Sequence, residues 1–124
     1  MNVEKEQALF NKYPSLFGQK DKSMQETCMC WGICVGDGWY DLLDTLCNEL
    51  KVFPGLQFTQ VKEKFGTLRA YTNFTNDKVE EAVLEAERAS AKTCEGCGKP
   101  AKLNKGPWLR VECKACKKSR EAKL

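Results

Sequence analysis

Four cysteines near the end of this chain constrain its fold more than any other feature. Cys94 and Cys97 form one Cys-x2-Cys pair, Cys113 and Cys116 form a second, and fifteen residues separate the pairs. Four thiolates at this spacing can close a tetrahedron around a zinc ion and leave no coordination position open for a substrate. The sequence therefore predicts one structural Zn²⁺ held by these four residues.

The residues around the two pairs predict the shape of a zinc-binding module that spans 93–124. Gly98 follows the first pair and can take the positive φ that a zinc knuckle requires. Residues 104–107 predict a hairpin turn, and residues 114–124, which lack Gly and Pro, predict a helix. Knuckle, hairpin and helix in this order are typical of a treble-clef or zinc-ribbon module.

Two disulfides are the alternative interpretation of these cysteines. The first six residues do not resemble the apolar core of a secretory signal, which favours a reducing compartment and therefore a metal. A segment of about thirty residues cannot bury enough apolar surface to fold alone. Structural zinc contributes on the order of 10 kcal/mol of binding energy that doubles as folding energy. We expect the module to be disordered without zinc.

Residues 1–92 predict an α+β body that is docked to the module without a flexible linker. Apolar residues at helical spacing predict helices over Glu4–Lys12, Ser23–Val35, Trp39–Leu50 and Asp77–Lys92. The middle two would form a helical hairpin around a glycine turn. Residues 57–72 are rich in β-branched and aromatic side chains and are broken by Gly66, which predicts a β-hairpin.

Local details of the body are also predicted. Phe58 and Val61 differ in parity, so one of them faces outward or a β-bulge lies between them. Asp37 and Asp77 are expected to cap the helices that follow them. In the first helix, Ala8 and Leu9 or Phe10 are expected to face the core.

The other four cysteines leave two interpretations open. Cys28, Cys30, Cys34 and Cys47 could form a second metal or redox site, but their spacing does not match a Cys-x2-Cys knuckle. Reduced cysteines that pack as small apolar residues are the preferred interpretation.

The charge of the chain is unevenly distributed. Residues 93–124 carry nine Lys or Arg and three Asp or Glu, whereas residues 1–92 carry eleven and fourteen. A basic module suggests binding to DNA or RNA, although four thiolates on one zinc ion themselves call for nearby positive charge. The nucleic-acid-binding residues predicted on this alternative are Lys114, Lys117, Lys118, Arg120 and Lys123 in the module, with Lys62, Lys64 and Arg69 in the hairpin.

The residue content argues against catalysis and against a membrane span. The chain contains no histidine, which removes the commonest general base, and it has no glycine-rich phosphate loop. No apolar run approaches the length that crosses a bilayer. We therefore expect a protein that is not an enzyme and has no membrane partner.

Several segments together resemble a group of small hypothetical proteins encoded by tailed bacteriophages and prophages. The segments are YPSLF, MQETCMCWGICVGDGWYDLLDTLC, QVKEKFGTLRAY and TCEGCGKP, and they cover most of the chain. The resemblance implies a bacterial host cytosol, expression during infection and an accessory role.

Two functions from different classes remain. In the first, the protein binds a host or phage protein through the acidic and aromatic surface of its body, as an inhibitor of a bacterial antiviral defence system would. In the second, the basic module and the β-hairpin bind DNA or RNA. The acidic body opposes wrapping around a polyanion, so we prefer the first.

Overall fold

A small mixed sheet and four helices make up the part of the chain that the computed structural model describes, namely residues 1–22, 27, 29, 32–104 and 106–122. The helices are α1 (Val3–Lys12), α2 (Tyr40–Leu50), α3 (Asp77–Ser90) and α4 (Lys114–Glu121), and the strands are β1 (Ile33–Cys34), β2 (Phe58–Lys64) and β3 (Thr67–Thr72). The predicted α+β class is confirmed. Among the described helices, none is long and apolar enough to cross a membrane.

The sheet has the order β1-β2-β3 and combines parallel and antiparallel pairing. β1 runs parallel to β2 with Ile33 opposite Val61, and β2 and β3 form the predicted β-hairpin. The register shifts between Phe58 and Gln60, and both Phe58 and Val61 are fully buried. This irregularity changes the parity of the strand, so the predicted bulge is confirmed.

The predicted helix over Ser23–Val35 is wrong at its end, because Ile33–Cys34 is strand β1. Gly32 has a φ of +76°, which is not helical, and the Ile33 N–H donates to the Glu6 carboxylate at 2.8 Å. β-branched Ile33 instead lies in the sheet beside Val61. Residues 23–26, 28, 30 and 31, which would form the rest of that helix, lie outside the described residues.

The core lies where the N-terminal segment, the sheet and helices α2 and α3 meet. Phe17 links the N-terminal segment to the sheet, since its ring centroid lies 5.0 Å from that of Phe10 in α1 and 5.2 Å from that of Phe58 in β2. The largest fully buried side chains of the core are Trp39, Phe17, Phe58, Leu9, Leu16, Met29, Leu43, Leu46, Leu50, Leu56, Leu68 and Val61. Ala8, which was expected to face this core, is exposed.

The two helix caps predicted at aspartates are wrong. Asn76 caps α3, because its side chain accepts a hydrogen bond from the Val79 N–H. Asp37 lies inside a 3-10 turn, Asp37–Trp39, that precedes α2. Its carboxylate accepts hydrogen bonds from the Asn2 backbone N–H at 2.7 Å and from the Asn2 amide. Asp37 therefore ties this turn to the start of α1.

The 3-10 turn also contacts the cysteine-containing segment directly. The Trp39 indole N–H donates to the Thr93 carbonyl at 2.9 Å, and the Gly38 N–H donates to the Glu95 carbonyl at 2.7 Å. α3 ends at Ser90, so three residues connect it to Cys94. The division into a body over 1–92 and a module over 93–124 stays a prediction, and these hydrogen bonds join its two parts.

We expect Gly38→Ala to lower the free energy of unfolding by about 1–3 kcal/mol. A Cβ at Gly38 would lie 2.1 Å from the Cys94 carbonyl oxygen and 2.5 Å from the Gly98 nitrogen, and neither backbone atom can move away alone. Urea denaturation followed by tryptophan fluorescence measures the change. Gly106→Ala is the control, since a Cβ there meets nothing within 4 Å. Equal stability of the two variants would contradict this account of the contact.

Candidate metal centre

A tight backbone turn positions the first pair of cysteines. The Cys94 N–H donates to the Lys99 carbonyl at 2.8 Å, and the Gly98 N–H donates back to the Cys94 carbonyl at 2.9 Å. Gly98 has the positive φ, +84°, that the sequence predicts for it. Gly96 lies against the cluster, since a Cβ there would lie 3.0 Å from the Cys116 sulfur. The turn therefore holds Cys94 and Cys97 next to the second pair.

The start of helix α4 positions the second pair. Cys113 is the N-cap residue of α4, and its sulfur accepts a hydrogen bond from the Cys116 N–H at 3.4 Å. Cys116 follows in the first turn of the helix. A helix N-terminus carries a partial positive charge, which favours a thiolate at the N-cap residue Cys113.

The four sulfurs form a compact cluster that fits a tetrahedral metal site. All four Sγ atoms lie within 4.8 Å of one another, and those of Cys97 and Cys113 are 3.6 Å apart. A regular tetrahedron with metal–sulfur bonds of about 2.3 Å has edges of about 3.8 Å. None of the four cysteines forms a disulfide. The cluster is thus positioned to bind one metal ion, and the disulfide alternative is wrong.

The four cysteines of the cluster differ in burial. Cys94 is fully buried, Cys113 and Cys116 are half-buried, and Cys97 is exposed. Four protein sulfurs complete a tetrahedral coordination shell, so a metal here has no position for a substrate. The arrangement suits a structural ion.

The two cysteines of the second pair differ in acidity when no metal balances their charge. The hydrogen bond from the Cys116 N–H lowers the pKa of Cys113 to about 7. Hydrogen bonding to the Cys97 sulfur, together with burial, raises the pKa of Cys116. Sulfurs this close cannot all ionise without a cation, and a divalent metal reverses that repulsion. Metal binding must therefore displace protons from the cluster.

Glu95 connects the cluster to the body. Its carboxylate accepts a hydrogen bond from the Gly36 N–H at 2.9 Å, and its N–H donates to the Val111 carbonyl at 2.9 Å. Burial raises the pKa of Glu95, although the bond from Gly36 opposes that shift. Sequence reasoning missed this residue, because nothing in its spacing distinguishes it from a solvated glutamate.

The remaining described cysteines do not extend the cluster. Cys47 is buried on α2, where desolvation raises the pKa of its thiol to about 12, and Cys34 is exposed in β1. Among the described residues, the four-cysteine cluster is the one group of potential ligands close enough to share a metal. Cys28 and Cys30 lie outside those residues.

The predicted nucleic-acid-binding cations differ in their surroundings. Arg69 forms an ion pair with Glu87, and Arg120 forms a two-bond ion pair with Glu112 at 2.7 and 3.2 Å. The exposed group comprises Lys114, Lys117 and Lys118 on α4 and Lys64 at the end of β2. Lys62 is half-buried, and Lys123 lies outside the described residues.

Two exposed aromatic residues lie outside the predicted site residues. In the sequence, Phe65 interleaves with Lys62, Lys64 and Arg69 in a composition that can stack bases, whereas sequence reasoning missed Trp108. Phe65 is 66% exposed at the turn of the β-hairpin, and Trp108 is 67% exposed in the loop between the cysteine pairs. The dipeptide Phe65-Gly66 marks Phe65 as an unusual turn residue, because a two-residue hairpin turn with positive φ at both positions favours Asn-Gly.

Comparison with known proteins finds no match for this chain. No protein-family model matches it, and neither a curated protein nor a solved structure matches it significantly.

We expect the purified chain to carry about one metal ion per molecule and Cys113→Ser to lose most of it, because a hydroxyl is a poor substitute for a thiolate ligand. Elemental analysis of the two proteins gives the stoichiometry. Cys34→Ser is the matched control and should keep the metal, since Cys34 lies outside the cluster. Equal metal content in Cys113→Ser and the parent chain would remove the cluster as the binding site.

Proposed function

We propose that this chain is a zinc-stabilised accessory protein that binds a partner protein and catalyses no reaction itself. The observation that carries the proposal is an acidic groove between α2 and α3. The cysteine cluster adjoins this groove, because Gly98 of the turn that positions Cys94 and Cys97 lines it, and a bound metal would stabilise that end. The resemblance in sequence to phage proteins suggests a host or phage protein as the partner.

Zinc is the metal that the ligand set supports best. Four thiolates in a tetrahedral arrangement suit zinc or an iron–sulfur cluster, and one ion is what four sulfurs within 4.8 Å can surround. The order of the elements in this segment supports the treble-clef part of the proposal. A knuckle is followed by an antiparallel bridge between Leu103 and Val111 and then by α4, whose first turn carries the last ligand.

Zinc should organise the C-terminal segment when added to chelated protein, and its binding should release protons. The raised pKa of Cys116 keeps that thiol protonated at neutral pH, so at least its proton must leave when a thiolate–zinc bond forms. The sign follows: acidification weakens zinc binding. Calorimetry in two buffers of different ionisation enthalpy counts the protons, and near-ultraviolet circular dichroism follows the folding. Zinc binding without proton release would contradict thiolate ligation.

The groove between α2 and α3 has an apolar floor. It has a volume of about 380 Å³. Leu46 and Ala86 form its buried floor, with Leu42 and Ala82 half-buried beside them. A second depression of about 280 Å³ shares residues with it and extends it toward Val52 and Phe53. The combined length and the small alanine side chains leave room for a helix to approach closely.

The rims of the groove are acidic. The exposed carboxylates are Asp41, Glu49, Glu81 and Glu85, and Lys78 is the one basic residue among the lining residues. Exposed charges of one sign steer and orient an oppositely charged partner more than they add affinity. The chemistry therefore fits a basic amphipathic helix whose apolar face covers the alanine floor.

Thr93 and Gly98 connect the cysteine cluster to this groove, although the four cysteines themselves are not among its lining residues. Both residues line the groove, together with Gly38 of the 3-10 turn. Gly98 is also part of the turn that positions Cys94 and Cys97, because its N–H donates to the Cys94 carbonyl. The metal thereby fixes one end of the proposed binding surface.

A lysine-rich amphipathic helical peptide should bind the zinc-loaded chain at low salt and bind more weakly as salt rises. Ala89→Trp should reduce that binding strongly, because Ala89 is exposed within the groove and an indole there would occupy the space of the peptide. Isothermal titration calorimetry measures both affinities. Arg88→Trp is the control, since Arg88 is exposed on the same helix but does not line the groove.

Charge variants separate the contribution of the acidic rims from that of the apolar floor. Glu49→Gln combined with Glu85→Gln should weaken the basic peptide and flatten its salt dependence, whereas Glu4→Gln on α1 should change neither. An otherwise identical peptide with glutamate in place of lysine should not bind. Unaltered peptide affinity in Ala89→Trp, or equal binding of the acidic peptide, would remove the groove as the site.

A further inference from the structure

The turn of the β-hairpin presents a phenylalanine at a position where the fold does not require one. Lys64 and Thr67 are paired, so Phe65 and Gly66 form a two-residue turn, with φ values of 54° and 89°. Asparagine and glycine favour such a turn, and a bulky side chain at positive φ is strained. Phe65 is 66% exposed and adds nothing to the core. A strained and exposed aromatic residue points to a ligand.

A second exposed aromatic residue lies on the loop that the hairpin turn contacts. A Cβ at Gly66 would lie 2.4 Å from a methyl carbon of Leu103 and 3.3 Å from the backbone of Leu109. Trp108 precedes Leu109 and is 67% exposed. Two segments that are distant in sequence thus bring Phe65 and Trp108 to one end of the molecule.

Each of these aromatic rings has a cation beside it. The Lys64 Nζ lies 5.5 Å from the centroid of the Phe65 ring, and the Arg110 guanidinium carbon lies 6.0 Å from that of Trp108. The same combination continues along the hairpin. Lys62 and Tyr71 lie on the strand face opposite buried Val61 and Ala70.

No residue that β2 or β3 contributes to the outer face of the hairpin is acidic. All residues of β2 and β3 are described, and those that alternate with the buried residues there are Gln60, Lys62, Lys64, Thr67, Arg69 and Tyr71. Arg69 is engaged by Glu87 of α3, so Lys62 and Lys64 supply the accessible charge. We call Lys62, Lys64, Phe65, Tyr71, Trp108 and Arg110 the aromatic–cationic patch.

We infer that the aromatic–cationic patch binds single-stranded nucleic acid. Unpaired bases expose flat faces that stack on aromatic rings, and the cations beside each ring neutralise the adjacent phosphates. A duplex hides its base faces and cannot use the rings in this way. This site is separate from the groove between α2 and α3, and it differs from the lysines of α4 that the charge of the sequence first suggests.

Fluorescence anisotropy of the full zinc-loaded chain tests the inference. The probes are one short labelled oligonucleotide as single-stranded DNA and as RNA, and the same sequence as a duplex, each at low and high salt. Single strands bind more tightly than the duplex, and log K falls with log salt. A preference between the DNA and RNA strands then identifies which sugar the patch favours.

Two aromatic variants locate the site. Phe65→Asn and Trp108→Ala each weaken single-strand binding by about 5- to 150-fold, the range expected for the loss of one stacked base. Phe65→Asn does so without lowering the melting temperature, because asparagine is favoured at that position of the turn. Phe74→Ala is the matched control, since Phe74 is 42% exposed at the other end of β3. Lys64→Ala reduces the salt slope by about 0.7.

Four outcomes overturn the inference. Two concern the probes: no single-strand binding at low salt, or duplex binding as tight as single-strand binding. The other two are loss of binding only when Lys114, Lys117 and Lys118 become Ala, and binding to anionic vesicles without binding to the oligonucleotide. Phe65→Asn leaves peptide binding in the α2–α3 groove unchanged, so failure here is distinguishable from failure of the proposed partner-protein function.

Discussion

The contact between the cysteine knuckle and the turn at Gly36–Trp39 is the interaction on which both ends of this structure depend. Trp39 is fully buried, and its indole N–H still finds a partner in the Thr93 carbonyl. Two further hydrogen bonds complete the contact. The Gly38 N–H donates to the Glu95 carbonyl at 2.7 Å, and the Gly36 N–H donates to the Glu95 carboxylate at 2.9 Å. A side chain at either glycine would collide with backbone atoms of the knuckle. Metal that fixes the knuckle therefore also fixes the turn from which α2 starts, and its binding energy supports the body as well as the C-terminal segment.

The metal cluster and the β-hairpin could be predicted because each follows from a local rule. Ligand spacing is a chemical requirement of a tetrahedral site, and the parity of Phe58 and Val61 leaves few ways to bury both in one strand. The predicted helix over Ser23–Val35 failed at Ile33–Cys34 for the opposite reason. Periodicity reports only which residues are apolar, whereas the backbone of this segment bonds to Glu6 and pairs with β2, two partners that no local pattern reveals.

The same limit explains why charge alone does not distinguish cations held in ion pairs from accessible ones. A count of lysines and arginines treats Arg69 and Arg120 like the others, although Glu87 and Glu112 engage them. Conversely, Phe65 and Trp108 are more than forty residues apart in sequence and carry no shared motif. Only the contact of Gly66 with the loop at Leu103 and Leu109 brings them together. Surface properties that depend on such pairings need the folded chain.

Both proposed binding surfaces are built partly from the segment that carries the four cysteines, so a metal bound to the cluster would support both of them. Gly98 lines one end of the α2–α3 groove, and Leu103 and Leu109 support the hairpin turn that presents Phe65. The Glu95 N–H bonds to the Val111 carbonyl, which links the knuckle to the loop that carries Trp108. A structural ion with no catalytic role can thus organise two chemically different surfaces at once. Loss of the ion would then disturb the acidic groove and the aromatic–cationic patch together, even though neither surface contains a metal ligand.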